Sequence, residues 1–256
     1  MLRKIVIVQC ETGQQLSLED NLLIFKHRPH FVVLPEYYNV NPVRRDTERN
    51  ASEGHELLKY CATLSDRFET TLIAGTAIES DGRSFYNTST VFRHGQKLIS
   101  YRKINPTINE RKNGITPGTE PISIEIDGVV ISIMICADVL EPINFTHLKK
   151  HQPDVVFIPT TSPARPRETV KEKQTRDEQI FVAGSQSCGA FLVKCCAIGT
   201  LWSGALQGRS LVCAPWGIIS RMTPVEENKK RILSVVLNID ELREFRHKQD
   251  ALINGK

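Results

Sequence analysis

The sequence predicts an α/β fold, in which buried strands alternate with amphipathic helices. The three stretches Ile5 to Gln9, Phe31 to Leu34 and Val129 to Ile135 are short apolar runs rich in β-branched residues, typical of buried strands. The chain has 256 residues, 40% of them hydrophobic, which is enough for a large core. Because no Pro/Gly/Ser-rich linker or break in composition interrupts the alternation, we expect a single domain over residues 1–256.

In the first half of the chain, helix-start and turn signals mark the elements. Ser17 with Asp20 three residues later predicts a capping box that opens a helix over Leu18 to Lys26. A second helix is predicted from Asn50 to about Arg67, and a loop from Asn105 to Pro121. Further strands are predicted at Thr71 to Ile78, Asn87 to Phe92, Lys97 to Tyr101 and Ile122 to Ile126.

The second half continues the alternation. Helices are predicted at Pro142 to Lys150 and Arg167 to about Gln186, with a last helix capped by Asp240. Strands are predicted at Val155 to Ile158, Ala190 to Cys196, Gly208 to Cys213, Gly217 to Arg221 and Arg231 to Asn238.

Composition and charge exclude several classes of protein. The net charge of +4 is too small to indicate binding to nucleic acid or to a membrane surface. Basic clusters at Arg44-Arg45, Arg165 to Arg176 and Lys229 to Arg231 are expected to be solvated surface. Seven cysteines without framework spacing argue against a disulfide scaffold. No stretch is long enough for a signal peptide or a membrane span, so we expect a cytoplasmic protein.

Three reactive side chains lie at predicted strand ends. Glu36 ends the strand that starts at Phe31, Lys103 follows the strand that starts at Lys97, and Cys136 ends the most apolar stretch of the chain. Each has an ordinary interpretation by itself: a buried thiol, a turn acid and a solvated lysine. Together they supply a nucleophile, a base that takes its proton and a cation that stabilises an oxyanion. We therefore expect the three to meet in one pocket.

The order of these residues resembles the nitrilase superfamily, the carbon–nitrogen hydrolases, whose catalytic set is Glu, Lys and Cys. A second glutamate, placed between the lysine and a Pro-Gly pair, corresponds to Glu110, and an asparagine before the hairpin corresponds to Asn87. The resemblance extends from Ile5 to about Phe245. The matching segments are Leu34-Pro35-Glu36, Tyr101-Arg102-Lys103, Ile135-Cys136-Ala137-Asp138, Glu110 to Gly118, and Gly208-Arg209-Ser210 with Pro215-Trp216-Gly217.

The resemblance implies a four-layer α-β-β-α sandwich of two mixed β-sheets. It also implies a catalytic site of Glu36, Lys103, Cys136 and Glu110, and a homodimer or larger assembly. The predicted interface consists of the helices at Pro142 to Lys150 and Arg167 to Gln186. Two departures from the family pattern bear on the pocket: Ala137 replaces a bulky residue and Cys196 replaces an asparagine.

Candidate substrate-binding residues lie in the loops at the strand ends, where specificity usually resides. They are Tyr37, Tyr38, Ala137, Thr161 and Ser162. We expect no metal, because two lysines between His147 and His151 would repel a metal cation and no Cys-x-x-Cys occurs. No glycine-rich nucleotide motif occurs, so no cofactor is expected.

Several functions fit these residues. The leading interpretation is a hydrolase for a C–N bond in a small amide or ureido compound. Acyl transfer to an amine and nitrile hydrolysis use the same chemistry. A binding protein that has kept the fold is the alternative from another class, and the intact Glu36, Lys103 and Cys136 argue against it. A Cys-His protease is not favoured, because none of the seven histidines lies at a strand end near a motif of that kind.

Overall fold

A computed structural model describes residues 1–38 and 40–253. In this part of the chain fourteen strands are connected by hydrogen bonds. The strands are β1 Leu2–Glu11, β2 Phe31–Val33, β3 Thr71–Ile73, β4 Ala77–Ser80, β5 Phe85–Arg93, β6 Gln96–Arg102, β7 Ser123–Ile126, β8 Val129–Ile133, β9 Val155–Thr160, β10 Phe191–Leu201, β11 Gly204–Leu206, β12 Leu211–Ala214, β13 Gly217–Arg221 and β14 Arg231–Asn238.

The described residues also form seven α-helices. They are α1 Leu18–His27, α2 Thr47–Arg67, α3 Ile108–Lys112, α4 Pro142–Lys149, α5 Val170–Asp177, α6 Ala183–Cys188 and α7 Ile239–Ile253. A π-helical turn at Glu178–Val182 joins α5 to α6, and a 3₁₀ turn covers Cys136–Leu140. The predicted capping box of Ser17 and Asp20 at α1 is confirmed.

The strands form two mixed sheets that face each other. The first has the order β6-β5-β3-β2-β1-β14. Strand β4 also pairs with β5, along the half of β5 that precedes its pairing with β3. The second has the order β7-β8-β9-β10-β12-β13. Parallel pairing of β1 with β10, at Cys10 and Ala197, joins the two sheets at their ends.

Three hydrophobic clusters fill the spaces between the layers. Ile7 and Val33 of the first sheet meet Phe157 and Val193 of the second between the sheets. On the outer face of the first sheet, Val6 and Val32 pack against Leu57 and Leu64 of α2. On the outer face of the second, Val156 and Leu192 pack against Phe145 and Phe181 of the helical layer. The predicted four-layer α-β-β-α sandwich is therefore confirmed.

Several predicted boundaries differ from the observed ones. The predicted strand from Thr71 to Ile78 is two strands, because Gly75 adopts a left-handed backbone (φ 60°) between them. Helix α2 begins three residues earlier than predicted, since Asp46 caps it by accepting from the Arg49 N–H. Asp240 lies in the first turn of α7 instead of preceding it, and its charge there suits the helix dipole.

Candidate active site

Glu36 is the side chain that the fold holds most tightly at this site. It lies three residues after the end of β2, next to Pro35, which contacts the turn at Gly75, and it is completely buried. Its Oε1 accepts hydrogen bonds from Lys103 Nζ at 2.8 Å and Asn87 Nδ2 at 3.0 Å. Its Oε2 accepts from the Thr161 N–H at 2.9 Å and from the Thr161 hydroxyl. Four donors therefore fix the orientation of the carboxylate.

Lys103 lies at the end of β6 between two carboxylates and is 1% exposed. Its Nζ donates to Glu36 Oε1 at 2.8 Å and to Glu110 Oε1 and Oε2 at 2.9 and 2.8 Å. Burial alone would lower the pKa of the ammonium, but the negative charges of Glu36 and Glu110 raise it instead. Lys103 is therefore charged at every physiological pH.

Glu110 lies on α3, not in the irregular loop that the sequence predicts. The Thr107 side chain caps this helix, and Glu110 Oε2 accepts from the Thr107 N–H at 2.7 Å in return, which completes a capping box. Glu110 Oε1 accepts from the Tyr37 hydroxyl at 2.6 Å and Asn87 Nδ2 at 2.8 Å. Burial would raise the pKa of Glu110, but the Lys103 ammonium and these donors outweigh it and lower the pKa to about 2.

Two glycines allow the close backbone approaches that bring Glu36 and Lys103 together. A Cβ on Gly75 would lie 2.1 Å from the Pro35 carbonyl oxygen, and a Cβ on Gly118 would lie 2.2 Å from that of Arg102. The Gly118 N–H also donates to the Lys103 carbonyl at 2.7 Å. The Pro-Gly pair after α3 thus fixes the chain beside the lysine.

Cys136 begins the 3₁₀ turn three residues beyond the end of β8, with a left-handed backbone at φ 43°. Such a conformation is strained for a residue with a Cβ, and it presents the side chain at a sharp turn. The thiol donates to the Thr161 carbonyl at 3.3 Å. Burial and, next, the charge of Glu36 raise the pKa of this thiol, so the resting group is protonated. A base is therefore needed to activate it.

Asp138 fastens the Cys136 turn to the segment that carries Lys103. Its buried carboxylate accepts from the Tyr101 hydroxyl at 2.8 Å, the Ile135 N–H at 2.8 Å and the Asn105 N–H at 2.7 Å. Asn144 of α4 donates to the Asp138 carbonyl at 2.8 Å. These contacts hold the thiol and the lysine in a fixed relation.

A cavity of about 650 Å³ opens above this cluster, and Glu36, Lys103, Glu110 and Cys136 all line it. Of the predicted substrate-binding residues, four also line it: Tyr37, Ala137, Thr161 and Ser162. Tyr38 does not. Its side chain is buried beneath helices α1 and α2, where its hydroxyl accepts from the Leu16 N–H at 3.0 Å.

Other residues of the cavity wall were not predicted from the sequence. Trp202, in the tight turn between β10 and β11, packs on the Tyr37 ring at 5.1 Å between centroids. Arg45, Arg165 and Arg176 also line the cavity, which corrects the interpretation of their clusters as solvated surface. The sequence shows that residues 165–176 are rich in charged side chains, but it does not predict that this segment contributes to the cavity wall.

Among residues 1–38 and 40–253, no group of three or more His, Cys, Asp or Glu side chains is arranged to hold a metal ion. No helix in these ranges has both the length and the apolar character needed to cross a membrane.

Fold and site together define a class: α-β-β-α sandwiches with a thiol, a lysine and two carboxylates at the strand ends. The chain belongs to the carbon–nitrogen hydrolase family, whose sequence profile matches residues 16–247. No curated protein sequence matches it significantly.

Solved structures of the nitrilase superfamily have the same fold. A carbon–nitrogen hydrolase from Helicobacter pylori superposes with a TM-score of 0.83 at 16% identity, over 98% of this chain and 94% of that one. Saccharomyces cerevisiae Nit3 gives 0.77 at 19%, over 96% and 94%. An amidase from Nesterenkonia gives 0.76 at 19%, over 97% and 95%. Another structure of that amidase, a mutant, shows covalent addition of the acetamide moiety of fluoroacetamide at its active-site cysteine.

Proposed function

We propose that this protein hydrolyses a C–N bond in a small amide or ureido compound through a thioester on Cys136. The observation that carries the proposal is the pairing of Lys103 with Glu36 and Glu110, buried beside the Cys136 thiol in one cavity. A buried cation between two carboxylates is costly to assemble unless all its partners are satisfied, as they are here.

In the first half of the reaction, Glu36 takes the proton of the Cys136 thiol as the sulfur attacks the substrate carbonyl carbon. A C–S bond forms, and negative charge develops on the carbonyl oxygen. The Lys103 ammonium and the Ala137 N–H, which directly follows the nucleophile, stabilise that charge. Glu36 then passes the proton to the leaving nitrogen, the C–N bond breaks, and the amine departs.

In the second half, the same groups hydrolyse the thioester. Glu36 takes a proton from a water molecule as its oxygen attacks the thioester carbon. The tetrahedral intermediate collapses, the C–S bond breaks, and the sulfur recovers the proton from Glu36. Glu110 is a positioning residue in both halves, because its hydrogen bonds with Lys103 keep the ammonium charged and fix its orientation.

The covalent adduct on the cysteine of the Nesterenkonia amidase supports this choice of nucleophile by analogy. Acyl transfer to an amine would follow the same first half, with the amine replacing water, and a nitrile would enter through a thioimidate. We rank amide hydrolysis first because solved structures that share this fold include amidases.

Mass spectrometry of the intact protein, mixed with a panel of small amides and quenched in acid, tests the proposal. We expect a mass increase equal to the acyl group, together with release of ammonia, and no increase in the Cys136→Ala protein. Cys213→Ala serves as a control, because that thiol is buried under the Phe181 carbonyl and away from the site. A panel that yields neither adduct nor ammonia would favour the non-catalytic binding protein.

We also propose that the protein is a homodimer or a larger homo-oligomer. Ile143 of α4 and Val170 of α5 are exposed apolar side chains on the helices expected at the interface. Equilibrium sedimentation at micromolar concentration checks this, and a monomer there would contradict it.

A further inference from the structure

One wall of the cavity carries a cluster of cationic side chains that the proposed reaction does not use. Lys194 lies on β10, next to the segment that contacts Glu36, and Arg176 lies on α5. Arg165 lies between β9 and α5, and Arg209 lies between β11 and β12. All four side chains line the cavity that contains Cys136. We call these four residues the basic cluster.

Two members of the basic cluster are almost completely enclosed. Lys194 is 1% exposed and Arg209 is 8% exposed, so both are largely removed from bulk water. A buried cation is stable only when negative charges or ligands replace its lost hydration. The charges around the cluster are therefore informative.

Two carboxylates neighbour the four cations. Asp177 Oδ1 lies 3.3 Å from Lys194 Nζ, and its Oδ2 lies 3.6 Å from Arg209 Nη1. Glu168 forms an ion pair with Arg176. Burial and, next, the charges of Arg209 and Arg165 lower the pKa of Arg176, which shows that the cations repel one another. The cluster has an excess of positive charge.

Arg209 also has donors without acceptors. Its Nε and Nη1 are buried and have no hydrogen-bond partner among the residues that the structure describes. An unsatisfied buried donor on a charged group is costly, and native proteins leave few of them. Arg209 is among the residues that line the cavity, and an acceptor on a molecule bound there would complete these donors.

We propose that the basic cluster binds an anionic group of the substrate, so that the substrate is a short amide or ureido compound ending in a carboxylate. This inference rests on the proposed function. The planar guanidinium groups of Arg176 and Arg209 suit a carboxylate, which accepts two parallel N–H bonds. Ile180, Phe181 and Leu206 line the same cavity and provide apolar contacts for the methylene groups between the two ends.

Turnover of matched amides tests the preference for an anion. We would compare glutaric acid monoamide with pentanamide, which has the same chain without the charge, and with the corresponding 3-carbamoylpropylphosphonate. We expect kcat/KM to be at least about a hundredfold higher for an anionic amide, the scale of a few charge-assisted hydrogen bonds. Whichever of the two anionic amides has the higher kcat/KM shows whether the basic cluster prefers a carboxylate or a phosphonate. Equal kcat/KM for charged and neutral amides would overturn the inference.

Variants locate the preference in the basic cluster. Arg209→Gln and Arg176→Gln should each lower kcat/KM for the anionic amide by about tenfold to a hundredfold, the value of one charged hydrogen bond. The rate with pentanamide should change by less than about threefold, because pentanamide has no anionic group for either guanidinium to bind. Arg167→Gln is the matched control, since it removes a charge two residues from Arg165 at an exposed position. Equal losses for both amides in the cluster variants would indicate a structural role and overturn the assignment.

Binding to the Cys136→Ala protein separates this inference from the proposed function. Calorimetric titration should show that glutaric acid monoamide binds and pentanamide does not under the same conditions, with binding weakened by the added Arg176→Gln change. If the anion binds but no amide is ever turned over, the anion site stands and the proposed hydrolysis fails. If amides are turned over but the anion neither binds nor accelerates, only the anion site fails.

Discussion

The two charged clusters that face the cavity differ in how completely their partners are satisfied. Around Lys103, one cation is shared by two carboxylates, and each carboxylate also has neutral donors from Asn87, Thr161 or Tyr37. In the basic cluster, four cations share two carboxylates, and Arg209 retains unpaired donors.

This difference in satisfaction of the charged groups indicates a different role for each cluster. A satisfied cluster is rigid, because every group is held by several others, and rigid placement is what proton transfer and oxyanion stabilisation require. An unsatisfied cluster is completed only when a ligand supplies the missing charge. The first cluster therefore suits the chemistry and the second suits recognition.

The largest expected effect comes from removing the cation of the satisfied cluster. Lys103→Met leaves Glu36 and Glu110 buried together without a counter-charge, so the free energy of unfolding should fall by about 3–5 kcal/mol and turnover should be lost. Urea denaturation of both proteins at neutral pH measures the loss.

Lys194→Met in the basic cluster is the matched control for Lys103→Met. It removes an equally buried ammonium, but Asp177 keeps Arg209 at 3.6 Å and repulsion among the cations decreases. We expect a loss of stability less than half that of Lys103→Met. Equal losses in the two variants would contradict the distinction between the clusters.

The next effect concerns the base. Glu36→Gln keeps the shape of the side chain and can still accept from Thr161, but it can no longer take the Cys136 proton. Because the thiol pKa is raised, little thiolate forms without a base. We expect kcat to fall by about 10²–10⁴-fold, the usual contribution of a general base. Steady-state kinetics measures it, and a circular dichroism spectrum like that of the parent protein confirms that the fold is retained. A variant with parental kcat would remove Glu36 from the mechanism.

A smaller effect is expected from Glu110→Gln, which leaves Lys103 with Glu36 alone. Turnover should fall by about 10–10²-fold, because the ammonium loses one of its two charged partners. The variant should also change how stability depends on pH.

The pH dependence follows from the depressed pKa of Glu110. Its folded-state pKa of about 2 lies below the ordinary value of 4.5, so its ionised form stabilises the fold above about pH 4.5. That stabilisation is lost as the pH falls towards 2. The difference in unfolding free energy between the parent and Glu110→Gln should therefore shrink between pH 6 and pH 3, as urea titrations would show. Glu120→Gln, at an exposed carboxylate, should give no comparable trend.

Much of the fold could be predicted because it depends on local signals. The apolar run before Cys136 and the capping box at Ser17 are set by adjacent residues, and both are found as strand and helix. The meeting of Glu36, Lys103 and Cys136 in one pocket could be predicted from their placement at strand ends, and the contact of Glu110 with Lys103 from the family resemblance. Their catalytic roles and the single-domain organisation over residues 1–256 stay predictions.

What the sequence could not show depends on contacts between distant segments. Cys136 has a left-handed backbone in a turn that Asp138 ties to Tyr101 and Asn105, which lie more than thirty residues away. The hydroxyl of Tyr38 points to Leu16, although its neighbour Tyr37 lines the cavity. The entry of Arg176 into the cavity wall likewise depends on how α5 packs.

The smallest effect tests how redundant the satisfied cluster is. Tyr37→Phe removes one hydroxyl, which donates to Glu110 Oε1 at 2.6 Å, while Lys103, Asn87 and Thr107 still donate to the same carboxylate. The ring keeps its contact with Trp202, so packing is preserved. We expect a loss of about 1 kcal/mol in the free energy of unfolding, the net value of one hydrogen bond, and less than a tenfold decrease in kcat. Chemical denaturation and steady-state kinetics measure both. A decrease in kcat as large as that of Glu36→Gln would mean that the Tyr37 hydroxyl acts on the substrate itself, and the satisfied cluster would then include a group used for chemistry as well as for support.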